Sequence, residues 1–349
     1  VSNVFEIIFH DVDFSSMARR PTIHDVAKAA GVSVATVSKA VNGRYGVADE
    51  TVQRVLAEVE RLGYASSLVA SSMRSRRTGV IGVLVPDFEP FSAEVLKGVG
   101  AGLNDSLYDV VAYAGVRHHA SAGWERRSLQ RLSGTLIDAA ILVTPTVLTA
   151  AVEIPVVAVD PHTGHGDMPT VESDSFGGAL QATRYLIELG HRRIGFLAGR
   201  PDLRSAQLRE AGYRQALADA GIPFHPRLME VGRYDPDAAA EAAHRLLAGA
   251  TPPTAVFAAN DISALAVLDV AADLGLSVPG DLSVVGFDDV PEASRRVPAL
   301  TTIRQPMHRL GMVAAQLVTA IIDGETPEHP RVQLPTRLIP RATTAPPRP

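Results

Sequence analysis

Residues 22–43 read TIHDVAKAAGVSVATVSKAVNG. Thr22 and Asp25 stand at the spacing of a capping box, in which a hydroxyl and a carboxylate each serve an orphan amide at a helix start. A short helix Ile23–Ala30 is predicted, with Ile23, Val26, Ala27 and Ala30 on one face. Gly31 falls where a tight turn needs positive φ. Val32 can plug the core, and Ser33 is placed to cap a second helix. That helix, Val34–Val41, turns Val37 and Val41 inward and offers Val34, Ala35, Thr36, Ser38 and Lys39 on its other side. Two short helices joined by a glycine turn make a helix-turn-helix, whose second helix enters the DNA major groove. Val34 and Ala35 offer apolar contact, as to a thymine methyl group, and Lys39 can bond a guanine edge or a phosphate. Thr36, Ser38 and the capped helix starts at Thr22 and Ser33 are placed for phosphates. An ordinary three-helix bundle with solvent-facing hydroxyls fits the same pattern.

Outward from this stretch, a third helix is predicted over roughly Glu50–Leu62, where Val52, Val55, Leu56, Val59 and Leu62 recur at helical spacing and close a small core. The 349-residue chain has a net charge of -5, yet residues 17–77 hold ten Lys/Arg against five Asp/Glu, a net of +5. Residues 1–16 carry -3 and residues 78–349 carry -7. A basic block beside a larger acidic one is the pattern of a nucleic-acid module joined to a different domain. Residues 1–16 (VSNVFEIIFHDVDFSS) have neither the basic start nor the apolar core of a secretion signal. Met17, followed by Arg19 and Arg20, is the expected start, and residues 1–16 are read as a non-native or disordered extension. The length predicts two or three domains. Hydrophobic residues make up 46%, which supports real cores and argues against long disorder. The absence of cysteine excludes disulfides, thiolate metal sites and cysteine nucleophiles. No apolar run approaches the ~18 residues of a membrane span.

The register Thr22-Ile23-x-Asp25-Val26-Ala27-x-x-Ala30-Gly31-Val32-Ser33-x-x-Thr36-Val37-Ser38-x-x-Val41-Asn42-Gly43, with Leu62-Gly63-Tyr64 further on, resembles the head of the lactose-repressor (LacI)/purine-repressor family of bacterial transcriptional regulators. The resemblance implies a DNA-binding head over residues 17–64, with Asn42 among its contacts, in a cytoplasmic repressor. It implies a homodimer or tetramer on a pseudo-palindromic operator. Ala48 replaces the family's usual hydroxyl residue before the third helix, which leaves Asp49 as the candidate cap.

Residues 65–78 (ASSLVASSMRSRRT) link head to body. Serine competes for its own backbone, so the segment is a poor autonomous helix that can order on DNA. In the family, paired hinge helices enter the minor groove and wedge an apolar residue between base pairs. By match that residue is Met73, where leucine is usual, beside the basic Arg74; Ser71 stands where arginine is usual. A wedge of this kind is worth a few kcal/mol, so Met73→Ala is expected to weaken operator binding about tenfold or more. Unchanged affinity in a gel-shift titration refutes the wedge.

From Gly79, apolar runs alternate with amphipathic stretches. Strands are expected at 80–85, 110–114, 139–143, 156–159, 193–197, 255–258 and 283–286. Helices are expected at 92–106, 123–132, 176–189, 205–220, 235–247, 262–274 and 307–322. This order predicts parallel α/β sheets, with ligands at the carboxyl ends of strands. Asp160, Asn260-Asp261 and Asp288-Asp289 each follow a strand, and Arg209 lies early in a helix. Carboxylates accept, amides both donate and accept, and an arginine fork donates, which suits a ligand rich in hydroxyls. A lone Asp after a strand is equally a helix cap.

The resemblance extends through the body in Leu189-Gly190-His191-Arg192-Arg193-Ile194, Arg209-x-x-Gly212-Tyr213, Ala259-Asn260-Asp261, Val284-Val285-Gly286-Phe287-Asp288-Asp289, Pro298-x-Leu300-Thr301-Thr302-Ile303 and Gln305-Pro306. It implies a two-lobed, periplasmic-binding-protein-like effector and dimerisation domain over residues 79–345. One lobe is expected at 79–174 plus 304–345 and the other at 175–303. By match, Arg209, Asn260, Asp288, Asp160 and Phe91 contact a small effector, with a sugar or sugar derivative favoured. The family's second aromatic after Phe91 is Ser92 here, with Phe88 as a substitute. His191 beside Gly190 reads as structural, and Trp124 as surface or interface packing. No cofactor or metal is expected. The run Gly98-Val99-Gly100-Ala101-Gly102 falls inside a helix and lacks the G-x-G-x-x-G spacing of a dinucleotide loop. No P-loop, H-E-x-x-H or nucleophile elbow occurs, which argues against an enzyme. His118-His119 stands beside no carboxylate cluster.

Overall fold

A computed structural model describes residues 21–41, 46–62, 77–115, 123–164, 166–249 and 251–348. Asn42, the hinge residues Met73 and Arg74, His118-His119 and the segment 1–16 lie outside the described residues. The chain divides into two compact units, Val1–Ser75 and Arg76–Pro349.

In the first unit, α1 (Ile23–Ala30), α2 (Val34–Val41) and α3 (Asp49–Leu62) pack on one another. Asp25 Oδ2 reaches back to both the N–H and the hydroxyl of Thr22, each at 2.7 Å. Gly31 ends α1 at φ 66°. Ser33 Oγ accepts the Thr36 N–H at 3.1 Å and so caps α2. The core consists of Val26, Ala27, Ala30, Val37, Ala40 and Val55. Val41 is only partly buried, Ala40 taking the inward place, and Leu56 is exposed. Asp49 is the first residue of α3 and not its cap; the Ala48 carbonyl takes the first helical bonds.

The second unit carries two six-stranded sheets. The first lobe holds β1 (Val80–Val85), α4 (Pro90–Gly102), β2 (Asp109–Ala114), α5 (Trp124–Leu132), β3 (Ala139–Val143), β4 (Val156–Val159) and β5 (Thr170–Ser173). The second holds α6 (Ser175–Glu188), β6 (Ile194–Ala198), α7 (Arg204–Asp219), β7 (Met229–Val231), α8 (Pro236–Leu247), β8 (Ala255–Ala258), α9 (Asp261–Asp273), β9 (Ser283–Asp288), α10 (Pro291–Arg295) and β10 (Thr301–Arg304). The chain then returns to the first lobe for α11 (Met307–Ile322) and β11 (Arg331–Leu334), and crosses again for β12 (Arg337–Ile339). Strand orders are β11-β5-β4-β3-β1-β2 and β12-β10-β9-β8-β6-β7, parallel throughout except β12 against β10. The inner strands are buried on both faces, which is why they read as unbroken apolar runs.

The second lobe is larger than expected. Residues 337–345 belong to it and not to the first lobe, because β12 pairs with β10 and the tail then ties to β9. Val284 N–H donates to the Thr343 carbonyl at 2.8 Å, and Ala345 N–H to Ser283 Oγ at 3.0 Å. His191 is structural: its ring meets Thr254 Oγ1 at 2.8 Å and the Ala345 carbonyl at 3.0 Å. Trp124 is core and not surface, packed over Gly115 and only 3% exposed.

The glycine run in α4 has a packing cause. A Cβ on Gly98 would sit 1.9 Å from the His308 carbonyl oxygen, and one on Gly102 would sit 2.8 Å from that of Met312. Reciprocally, one on Gly311 would lie 2.0 Å from the Val95 carbonyl. Three glycines therefore let α4 and α11 touch backbone to backbone.

Candidate functional site

The carboxyl ends of β4, β8 and β9 gather the polar residues. Asp160 follows β4 at φ 45°, and Asp288 ends β9 at φ 125°. These turned backbones swing the two carboxylates off their strands. Asp160 Oδ1 accepts the Ser173 N–H at 2.8 Å. The Ser173 hydroxyl lies 3.2 Å from Asp160 Oδ2 and also donates to Gln305 Oε1. Gln305 Nε2 in turn donates to Asp288 Oδ1 at 2.6 Å. A polar relay thus runs from one lobe's carboxylate to the other's through the crossover residue Gln305.

Arg209 on α7 is the buried cation beside this relay, 5% exposed. Its NH1 donates to the Ala259 carbonyl at 2.5 Å and lies 3.6 Å from Asp288 Oδ1. Its Nε is 3.4 Å from Ser175 Oγ, and its guanidinium carbon lies 3.8 Å from the Phe287 ring centre. In the same signature, Gly212 has a packing role, since a Cβ there would meet the Phe176 carbonyl at 2.5 Å. Tyr213 stacks on Phe196.

Asn260 and Asp261 exchange the roles that their order suggests. Asn260 caps α9, its Oδ1 accepting the Ser263 N–H at 2.9 Å. Asp261 is wholly buried, holding the Val290 N–H at 2.9 Å and the Thr302 hydroxyl at 2.5 Å. Phe91 is placed in the first-lobe core with Val95 and Leu310, while Phe88 is 59% exposed. Gln305, Ser173 and Tyr234 were not singled out from the sequence; only Gln305 had a signal there, in the Gln305-Pro306 signature. Tyr234 follows β7 at φ 63°, its ring centre 5.8 Å from the Arg209 guanidinium. Its buried hydroxyl approaches Ser205 and Arg209 without a well-formed hydrogen bond to either. His162 Nδ1 is also buried without a partner.

The lobes are closed on each other here. Arg204 on α7 donates to Glu172 on β5 at 2.6 Å, and its N–H donates to the His162 carbonyl at 2.7 Å. The space among Asp160, Glu172, Ser173, Ser175, Arg204 and Ser205 is about 10 Å³, one water at most. A larger ligand enters only when these ties part.

Burial sets the electrostatics. It raises Asp160 from 3.8 to about 6, against the Ser173 amide and Arg209, which pull it down. Asp288 is also raised by burial, with Arg209 opposing, and Asp261 is driven well up by burial and by Asp288. His162 falls from 6.5 to about 4 through burial and the nearby Arg200 and Arg209. An acid whose folded pKa is raised favours folding at low pH, and that contribution is lost as pH climbs through about 6 for Asp160. His162 acts oppositely, costing stability as pH falls from 6.5 through about 4. Asp160→Asn keeps the acceptor for Ser173 and removes the charge. It is expected to raise the ligand-free thermal midpoint by a few degrees above pH ~6, the gain vanishing toward pH ~4. A gain independent of pH, measured by scanning fluorimetry, contradicts this.

In the head, Ala35 and Lys39 are exposed on α2, and Val34 is half-buried against the core. Ser33 and Thr36 share a 2.9 Å hydroxyl contact at the helix start.

Comparison with known proteins agrees across the chain. The sequence model of bacterial regulatory proteins of the lacI family matches residues 22–67, and that of the periplasmic binding protein-like domain matches residues 183–344. Catabolite control protein A of Priestia megaterium is 34% identical over 331 residues, 93% of this chain and 99% of that protein. The solved transcriptional regulator CelR–cellobiose complex is 34% identical with a TM-score of 0.70, over 93% of this chain and 100% of that one. The lac repressor dimer bound to operator and the anti-inducer ONPF is 26% identical with a TM-score of 0.79, over 94% and 100%.

Proposed function

Because this chain belongs to the LacI family of bacterial transcriptional regulators, and is a DNA-binding regulator rather than an enzyme, we propose that it acts as a cytoplasmic homodimeric repressor whose grip on a pseudo-palindromic operator is set by a sugar or sugar derivative. The observation that carries this reading is the polar relay between the lobes, Asp160–Ser173–Gln305–Asp288, with Arg209 at its side. Sugar hydroxyls donate to the two carboxylates, and the arginine fork donates to sugar oxygens. Tyr234 supplies an aromatic face beside Arg209, the role first expected of Phe91. Asn260 contributes its amide from the start of α9. CelR, a relative over nearly the whole chain, has been solved with cellobiose.

The first lobe's edge strand β2 exposes Val110 and Val111, and Leu107 just before it is fully exposed. Apolar surface of this kind suits a second copy of the chain. In the head, Ala35 and Lys39 reach base edges with Val34 beside them. Thr22, Ser33, Thr36 and Ser38 hold phosphates, with Asn42 just beyond α2. Met73 and Arg74 enter the minor groove. Effector binding shifts the balance between closed and open lobes by its different affinity for the two, and the dimer carries that shift to the hinge.

The test is selection of an operator from random duplex DNA, then gel shift with a panel of neutral sugars. Expected are symmetric half-sites, affinity falling steeply with salt, and a change in affinity with one sugar class. No sequence-selective binding overturns the regulator reading. A response to bases or amino acids alone overturns the sugar.

A further inference from the structure

A cavity of about 540 Å³ shares Gln305 with the polar relay but is lined by none of Asp160, Ser173, Arg209 and Asp288. It is bounded by Glu94 on α4, Asp289 after β9, Arg304 ending β10, His308 and Arg309 in the first turn of α11, and Arg341 beyond β12. It therefore touches both lobes and the crossover between them.

Its charges do not balance. The Asp289 side chain is only 6% exposed, and its two oxygens are each held by a guanidinium, Oδ2 by Arg304 at 2.5 Å and Oδ1 by Arg341 at 2.5 Å. Glu94 is paired with Lys97 at 2.5 Å. Arg309 is exposed and makes no ion pair among the described residues. Two arginines thus share one carboxylate, a third has none, and the other acid is neutralised by a lysine. The first-turn amides of α11 add to this positive field, because Pro306 at the cap provides no side-chain acceptor.

We infer that this cavity is a binding site for the phosphate group of a small phosphorylated ligand, held by residues other than Asp160, Arg209 and Asp288. Arginine forks match phosphate oxygens in pairs. The volume admits an organic group beyond the phosphate. The site also touches the relay through the backbone. Asp288 and Asp289 are consecutive, as are Arg304 and Gln305; Gln305 bonds Asp288, and Arg304 bonds Asp289. An anion that draws Arg304 from Asp289 therefore pulls on the residues that hold Gln305 to Asp288.

The inference does not depend on the cleft taking a sugar, and its test uses no operator. Inorganic phosphate is titrated into the full chain at constant ionic strength and followed by calorimetry and phosphorus NMR. Saturable binding at millimolar phosphate is expected. It should weaken about tenfold or more in Arg309→Gln, an exposed position where folding is not at stake, and be partly kept in Arg309→Lys. The inference is overturned by an absence of saturable binding or by unweakened binding in Arg309→Gln.

Discussion

Arg209→Ala is expected to abolish the response of operator binding to effector while leaving effector-free operator affinity within about threefold, under a kcal/mol. The guanidinium is the buried cation that faces Asp288, and it also bonds the Ala259 carbonyl and stacks on Phe287. Charge-assisted hydrogen bonds contribute roughly 1.5–3 kcal/mol each, so losing two from a bound ligand weakens it about 100-fold or more. Without Arg209 the opposing charge is gone, and burial drives Asp160 and Asp288 further toward the neutral acid. Two acceptors for hydroxyls then become donors, and the site loses its chemistry twice over. Breaking one side of a buried pair also costs stability, on the order of 3–5 kcal/mol at most, since Asp288 escapes part of it by taking a proton. Binding is therefore read by fluorescence anisotropy well below the thermal midpoint, with Arg209→Lys beside it. Lysine keeps the charge and loses the fork, so a partial response is expected. A folded Arg209→Ala protein that responds normally refutes the role, and one that is folded yet blind to operator shows that the head depends on the cleft in a different way.

Gly98→Ala is expected to destabilise the body by about 3 kcal/mol or more, the upper part of the range for overpacked cores, lowering its midpoint by about 6–12 °C. The obstacle is the His308 carbonyl, 1.9 Å from the new methyl. A carbonyl inside a helix cannot swing aside as a side chain can, so α4 and α11 must separate along the whole of their contact. Gly100→Ala, two residues on, is the control. Nothing lies within 4 Å of a Cβ there, and replacing a helical glycine should stabilise by about half a kcal/mol or more. Equal effects at the two positions, by thermal or urea unfolding, contradict the backbone contact.

The glycines of α4 differ in ways that their own stretch of sequence does not display. Gly98, Gly100 and Gly102 look alike in a row, and helical phase cannot say which of them meets another helix until α11, two hundred residues later, is known to lie there. Site residues behaved similarly. Asp160, Arg209 and Asp288 were visible as polar residues at strand ends or near a helix start. Ser173, which helps connect them, has no local signal, and Gln305 stood only in the Gln305-Pro306 signature with no sign of its role, because each acts through partners far along the chain. Asn260 and Asp261 were visible as a pair, but which of them caps depends on Thr302 and the Val290 amide, which claim Asp261 from outside the helix.

The sequence by itself determined the head, the long helices to within a few residues, and the long apolar strands. These rest on interactions within a turn or two of chain, such as the Thr22–Asp25 cap and the Gly31 turn, or on burial of both faces of a strand. The basic head set against an acidic body was equally plain in the charges, while the resemblance to the family was carried by the motifs. Tertiary structure alone decided the short polar strands TVES, TTIR, RVQL and RLI, the place of the C-terminal tail in the second lobe, and the relay and the arginine-lined cavity on the crossover. Those strands have too little apolar surface to declare themselves and are held by neighbours brought in from elsewhere in the chain. The relay is likewise complete only at the second crossing between lobes, at Gln305, and the cavity only after the third, at Arg341.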